Sequence, residues 1–125
     1  MLKNREAIAT IPVKKLDVAR KFYEGTLGLA RVPSDEPEVL VFSSGNTQLL
    51  VYESQFAGTN KATAATWAVG DELEDIVRDL KAKGVTFEHY DLPDTTRKGD
   101  VHVSGNTNVA WFKDPDGNIH SLVNG

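Results

Sequence analysis

The sequence has no cysteine and one methionine. Disulfides, thiolate metal sites and a cysteine nucleophile are therefore excluded. Basic charge is in deficit: 14 Lys and Arg face 18 Asp and Glu, a net charge of −4. That balance argues against non-specific attachment to nucleic acid or to an anionic membrane. No apolar run approaches the roughly 20 residues of a membrane-spanning helix. No apolar segment follows the charged residues 1–6 as it would in a secretory signal, so a cytoplasmic protein is expected. Histidine is sparse as well. His89, His102 and His120 stand apart, with no HxH or HxxxH pair among them. A lone strand histidine is more often a satisfied structural residue than a ligand. There is no GxSxG nucleophile elbow and no glycine-rich loop joining a strand to a helix, which leaves a serine hydrolase of that kind and a phosphate cradle unsupported.

What is present fits an ordinary globule of 125 residues, 40% hydrophobic and 26% charged, enough for one domain with a modest core. The clearest local signal is the C-terminal hairpin. An apolar run ending in Ala110-Trp111-Phe112 meets Asp114-Pro115-Asp116-Gly117-Asn118, and a second run follows over residues 119–123. Proline presets φ and Gly or Asn accepts positive φ, so this stretch turns the chain. A partial echo lies at Ser44-Gly45-Asn46, between apolar runs at 39–42 and 47–53.

Periodicity supplies the remaining elements. Residues 7–13 read as a strand, with Pro12 marking an edge or an end. Residues 16–24 read as a helix with Leu16, Ala19, Phe22 and Tyr23 on one stripe. A short strand is expected at 29–32 and a loop at 33–37. Residues 54–62 are polar and form the expected linker, with modules at 1–53 and 63–125. In the second module a strand is expected at 63–69. A helix at 72–83 carries Leu73, Ile76, Val77 and Leu80 on its apolar face, with Asp71 and Glu74 spaced as a capping box and Gly84 as the αL cap. A strand follows at 85–90. The order is thus strand, helix, three strands, twice over.

The two helices align at Leu16 and Leu73 and the two turns at Gly45 and Gly117, so the second half carries about 15 extra residues between helix and turn. The polar stretch 91–106 accounts for them. Loops of this length are often functional lids; the alternative is a plain surface excursion. Tyr90, Arg97, Lys98 and His102 are the groups it would bring to a pocket.

A strand leading into Ala19-x-x-Phe22-Tyr23 and Leu27-Gly28-Leu29, then Leu80-Lys81-Ala82-Lys83-Gly84-Val85 and the closing Asp114-Pro115-Asp116-Gly117-Asn118, resembles the vicinal oxygen chelate superfamily. That group includes glyoxalase I, bleomycin-resistance proteins, fosfomycin-resistance proteins and extradiol dioxygenases. The resemblance implies an α+β fold of two tandem βαβββ modules whose mixed sheet curls into a cup around a ligand. It also implies a homodimer.

Enzymes of that superfamily hold a divalent metal with His, Glu or Gln on the first and last strand of each module. Here those positions fall at Ile8, at Leu49 or Leu50, at Ala64 or Ala65, and at Ser121, where Glu is usual. Such side chains are poor ligands or none. A slip of one residue would turn strand faces over and offer Gln48 and His120 instead. No cofactor is therefore expected, a divalent metal being the alternative.

The expected function is binding of a small, partly apolar organic molecule in the cup. The alternative is a metal-dependent lyase or dioxygenase with an atypical ligand set. Candidate polar contacts are Thr10, Gln48, Thr66 and Ser121, with His102 from the loop. Candidate aromatic contacts are Tyr52, Trp67, Tyr90 and Trp111, although for both tryptophans core packing under a helix competes with ligand stacking.

Overall fold

The computed structural model describes all 125 residues as two compact units. The first comprises Met1–Asn60 with Pro115–Asn118, and the second Lys61–Asp114 with Ile119–Gly125.

The first unit contains β1 (Ala9–Val13), α1 (Leu16–Arg20), β2 (Ala30–Val32), β3 (Val39–Ser44) and β4 (Thr47–Glu53). Its four-stranded sheet has the order β1-β4-β3-β2, with β1 parallel to β4 and the other pairs antiparallel. Side chains alternate between the two faces of a strand. Ile11 and Val13 of β1, Leu49 and Val51 of β4, and Leu40 and Phe42 of β3 fill one face and are buried. Ala19 and Tyr23 are the buried residues of the helical segment. Phe22, expected on that stripe, is only half-buried, while Tyr23 is fully enclosed and packs at 6.1 Å from Phe42.

The expected helix over 16–24 does not run as one α-helix. After Arg20 it widens into a π-turn, Lys21–Thr26, and Leu27 N–H donates to the Phe22 carbonyl five residues back, at 2.9 Å. The Asp114–Asn118 turn contributes its last residues to this unit. Asp116 Oδ2 accepts from Lys14 N–H at 3.1 Å, and Asn118 Nδ2 donates to the Pro12 carbonyl at 2.8 Å. Gly58 lies so close to the same turn that a Cβ there would stand 1.9 Å from the Asp116 carbonyl oxygen, and its φ of +73° favours glycine independently.

The second unit contains β5 (Thr63–Ala68), α2 (Leu73–Ala82), β6 (Phe87–Glu88), β7 (Thr96–Lys98), β8 (Val101–Ser104), β9 (Thr107–Lys113) and β10 (Ile119–Val123). Its sheet runs β5-β10-β9-β8-β7, with β6 also paired to β9. Here β5 lies parallel to β10, as β1 does to β4. Helix α2 buries Leu73, Val77 and Leu80 on one stripe. The matching buried face of the sheet carries Phe87, Ala110, Phe112, His120 and Leu122. The capping box does not form: Asp71 falls within a 3₁₀ turn, Gly70–Glu72, and no side chain caps α2.

The stretch 91–106, expected as a long loop, is largely a β-hairpin. Strands β7 and β8 pair antiparallel, β8 continues onto β9, and Val101 and His102 are buried. The extra residues of the second module thus widen its sheet, while β6 is shorter than the strand expected at 85–90.

Candidate functional site

Each sheet has one face turned to its helix and one helix-free face. In the first unit the register places Thr10 beside Leu50, and Leu50 beside Val41. Gln48 and Tyr52 share that face by alternation with Leu50. Thr10 Oγ1 donates back to the Ile8 carbonyl at 3.2 Å. Ile8, nearly half exposed at 46%, and Gln48 together help line a small hollow of about 220 Å³ with Glu6 and Asn46. This helix-free face therefore offers aliphatic surface, one amide and one phenol, with Tyr52 half-buried.

The helix-free face of the second unit is richer. Trp111, Ser121 and Thr66 form one row across β9, β10 and β5. The Ser121 and Thr66 hydroxyls lie 2.8 Å apart and share a hydrogen bond. Trp111 Nε1 donates to Thr63 Oγ1 at 3.2 Å. The Trp111 ring meets Tyr90 edge-on at 5.2 Å and His102 edge-on at 4.8 Å. Such perpendicular contacts set positive ring edges against negative ring faces.

His102, 2% exposed, is held at both nitrogens. Its Nε2 accepts the Tyr90 backbone N–H at 2.9 Å, which leaves Nδ1–H to donate to the Val109 carbonyl at 3.3 Å. The ring is thereby fixed as the neutral Nδ1–H tautomer and serves as a wall beneath Trp111. The Tyr90 hydroxyl is buried without a hydrogen-bond partner. Burial pushes its phenol above the usual 10, nearby Glu88 adds to the rise, and Lys113 opposes it. Glu88 and Lys113 themselves pair at 3.1 Å on the flank.

Trp67 is a correction. It lies half-buried on the opposite, helix-facing side, 6.3 Å from Phe112 and 5.5 Å from His120, so it packs against the core and does not join the row of Trp111. His120 occupies that same face, fully enclosed, and burial pushes its pKa down to about 4 against a smaller opposing pull from Asp114. The register slip that would have presented His120 beside Trp111 is therefore not the observed one. In the first sheet, by contrast, the helix-free face holds Gln48 and Leu50 while Leu49 is buried.

Thr63 is a site residue that strict alternation misses. The β5–β10 register shifts between Ile119 and His120, leaving Ala64 as the extra residue of a bulge. Thr63 and Thr66, three apart, therefore share a face. A Thr at each end of a small-residue run was the one trace of this in the sequence.

A surface network sits at the turn of the β7–β8 hairpin. Asp100 accepts from Lys81 Nζ at 2.7 Å and from His89 Nε2 at 2.7 Å, and Arg97 Nη1 lies 2.8 Å from His89 Nδ1. These partners hold the Asp100 carboxyl below its ordinary range.

The metal-ligand positions of the superfamily can be tested directly on these side chains. Ile8 has no donor atom, Gln48 brings one amide, and the Ser121 hydroxyl is engaged by Thr66. Both His102 nitrogens are taken. No three His, Cys, Asp or Glu side chains converge anywhere in the chain. This donor set does not fit a chelated divalent ion.

Two units, each with a helix against one face of its sheet and the other face free of helix, define an α+β fold. The chain belongs to the Glyoxalase/Bleomycin resistance protein/Dioxygenase superfamily, whose sequence model matches residues 7–121. Among solved structures it is similar to lactoylglutathione lyase from Agrobacterium tumefaciens, at 17% identity and a TM-score of 0.71, covering 98% of this chain and 95% of that one. It is also similar to the fosfomycin resistance protein FosX from Listeria monocytogenes complexed with Mn(II) and sulfate, at 19% identity and a TM-score of 0.73, covering 100% and 92%. A glyoxalase/bleomycin resistance protein/dioxygenase from Alicyclobacillus acidocaldarius gives 19% identity and a TM-score of 0.70, covering 98% and 93%. At these identities the likeness is one of fold. No curated protein matches the sequence. No helix is long and apolar enough to cross a membrane.

Proposed function

We propose that this protein binds a small organic molecule with an aromatic or apolar body on the helix-free face of its second unit, and that it does so without a chelated metal. The observation that carries the reading is the row Trp111–Ser121–Thr66, with the Trp111 ring braced by Tyr90 and His102. A braced indole offers a flat surface for a ring, and two hydroxyls beside it orient a polar substituent. Few, well-placed polar groups in an apolar setting are what small-molecule sites generally need. By the family resemblance, Ser121 falls where metal-binding members of the superfamily usually carry Glu. A serine hydroxyl can hydrogen-bond a ligand but is a weak partner for a divalent ion.

The first unit's face, with Thr10, Gln48 and Tyr52, takes a lesser part in this reading. The homodimer implied by the family resemblance and the cytoplasmic location expected from the sequence belong to the same proposal.

The test is a fluorescence titration with simple phenols and benzoates in a Trp67→Phe background, so that Trp111 is the sole indole reporter. Saturable quenching that Ser121→Ala with Thr66→Val weakens about tenfold supports the site. Quenching unchanged by that pair, or no saturable response from any compound, overturns it.

A further inference from the structure

A second cavity lies in the first unit, on the helix side of its sheet and apart from the face carrying Thr10 and Gln48. It measures about 620 Å³ and is lined by Leu16, Arg20, Lys21, Arg31 and Leu40 among others. Its construction follows from three local features. The first is the π-turn Lys21–Thr26, which widens the helical segment and aims Lys21 and the open backbone at Gly25 along one wall; a Cβ at Gly25 would meet nothing within 4 Å. Single π-turns within helices are frequent at functional sites. The second is the edge strand β2. Arg31 stands opposite Phe42 in the register and so projects on the helix side, where the sheet has no further strand to cover it. The third is the floor, Leu40, buried at 5% exposure, with half-buried Leu16 beside it.

The charges on this cavity do not cancel in pairs. Glu24 Oε2 takes Arg20 Nε at 2.9 Å, and Asp17 Oδ1 accepts the Val18 N–H at 2.9 Å. Lys21 and Arg31 have no acidic partner. Asp17, bonded only to a backbone N–H, keeps its charge, so Arg20, Lys21 and Arg31 against Asp17 and Glu24 leave the lining at +1 over an apolar floor; on a chain whose net charge is −4 this is a local preference for negative charge. Long basic side chains also lay their stems along apolar surface and keep the charged head at the rim.

We propose that this cavity binds a small amphipathic carboxylate, with its hydrocarbon part against Leu16 and Leu40 and its carboxylate between Lys21 and Arg31. The guanidinium of Arg31 can meet a carboxylate with two parallel hydrogen bonds, and the ammonium of Lys21 adds a second charge. Recognition needs both parts: the apolar floor selects a tail, and the two cations select the sign of the head. The site is independent of the second unit's aromatic row, because no residue is common to the two.

The experiment is a ¹H–¹⁵N NMR titration of the full chain with octanoate, with octylamine and octan-1-ol as probes of equal chain length. Octanoate is expected to shift the amides of residues 16–31 and Leu40 in a saturable way. Octylamine is expected to leave them unmoved, and octan-1-ol to act only at higher concentration. Lys21→Gln and Arg31→Gln, both at exposed positions, should each weaken octanoate about tenfold with an otherwise unchanged spectrum. Shifts that are absent, that scatter over the surface, that octylamine reproduces, or that survive both substitutions would each overturn the proposal.

Discussion

The two helix-free sheet faces descend from the same βαβββ plan and are chemically unlike. The first presents Thr10, Leu50, Val41, Gln48 and Tyr52, where Thr10 bonds back to its own strand and Leu50 lies between Thr10 and Val41. The second presents a tryptophan pinned by a tyrosine, a histidine and a threonine, with a hydroxyl pair beside it. The difference lies in how many neighbours fix each side chain. The inserted hairpin β7–β8 supplies His102, the β5 bulge supplies Thr63, and the first unit has neither. An extra hairpin and a bulge therefore convert a plain sheet face into one with preorganised groups. The helix-facing cores, in contrast, are alike: an aromatic from β3 or β9 lies at the centre of each, Phe42 or Phe112, both fully buried.

That likeness gives the largest expected effect. Phe112→Ala and Phe42→Ala should each cost about 3–5 kcal/mol, read as the shift in a urea unfolding midpoint. A large loss for one and a loss under about 1 kcal/mol for the other would break the symmetry of the cores.

The next effect belongs to the second unit alone. His120 titrates at about 4 in the folded chain against about 6.5 unfolded, because burial disfavours the cation. Above pH 6.5 the ring is neutral in both states and its contribution is fully present. As pH falls from about 6.5 to 4, the unfolded chain takes up a proton that the folded chain refuses, and stability is lost by about 3 kcal/mol. A His120→Leu variant should show a correspondingly flatter stability profile between pH 7 and 4. Parallel profiles for the two chains would contradict this account of His120.

Smaller effects sharpen the comparison of the open faces. Thr66→Val leaves the Ser121 hydroxyl without its side-chain partner and should cost about 1 kcal/mol in thermal unfolding. The matching substitution Thr10→Val removes only a bond to the strand's own backbone at an exposed position, and should fall within about 0.5 kcal/mol of zero. Tyr90→Phe deletes a buried hydroxyl that has no partner, and should be neutral or slightly stabilising. A clear destabilisation would mean that the hydroxyl has a partner in solution.

Much of the fold was legible in the sequence. The helix stripes at Leu16/Ala19/Tyr23 and Leu73/Val77/Leu80, the two Gly-centred turns and the tandem strand order are strong periodic signals, and they led to the family that the sequence model also finds. The inserted hairpin was not legible. Strand β7 is Thr-Arg-Lys and wholly exposed, and charged residues on an edge strand are how sheets avoid mispairing, so nothing apolar betrayed it. Its partner β8 hides a buried histidine among alternating valines, which reads as polar. The bulge at Ala64 and the π-turn at Lys21 escaped for a related reason: each shifts the period by one residue, and sequence periodicity assumes a constant one. At the site, seven of the expected residues in the two sheets fall on helix-free faces by register or alternation: Thr10, Gln48, Tyr52, Thr66, His102, Trp111 and Ser121. Trp67 does not, because its ring completes the core around Phe112.

The central claim is that neither open face carries a donor set for a chelated metal. Its most direct test is elemental analysis by mass spectrometry of untagged protein dialysed in turn against Mn, Fe, Ni and Zn. The account predicts metal no higher than in a buffer control. One metal ion per chain or per pair of chains, lost on substituting Gln48, would contradict it.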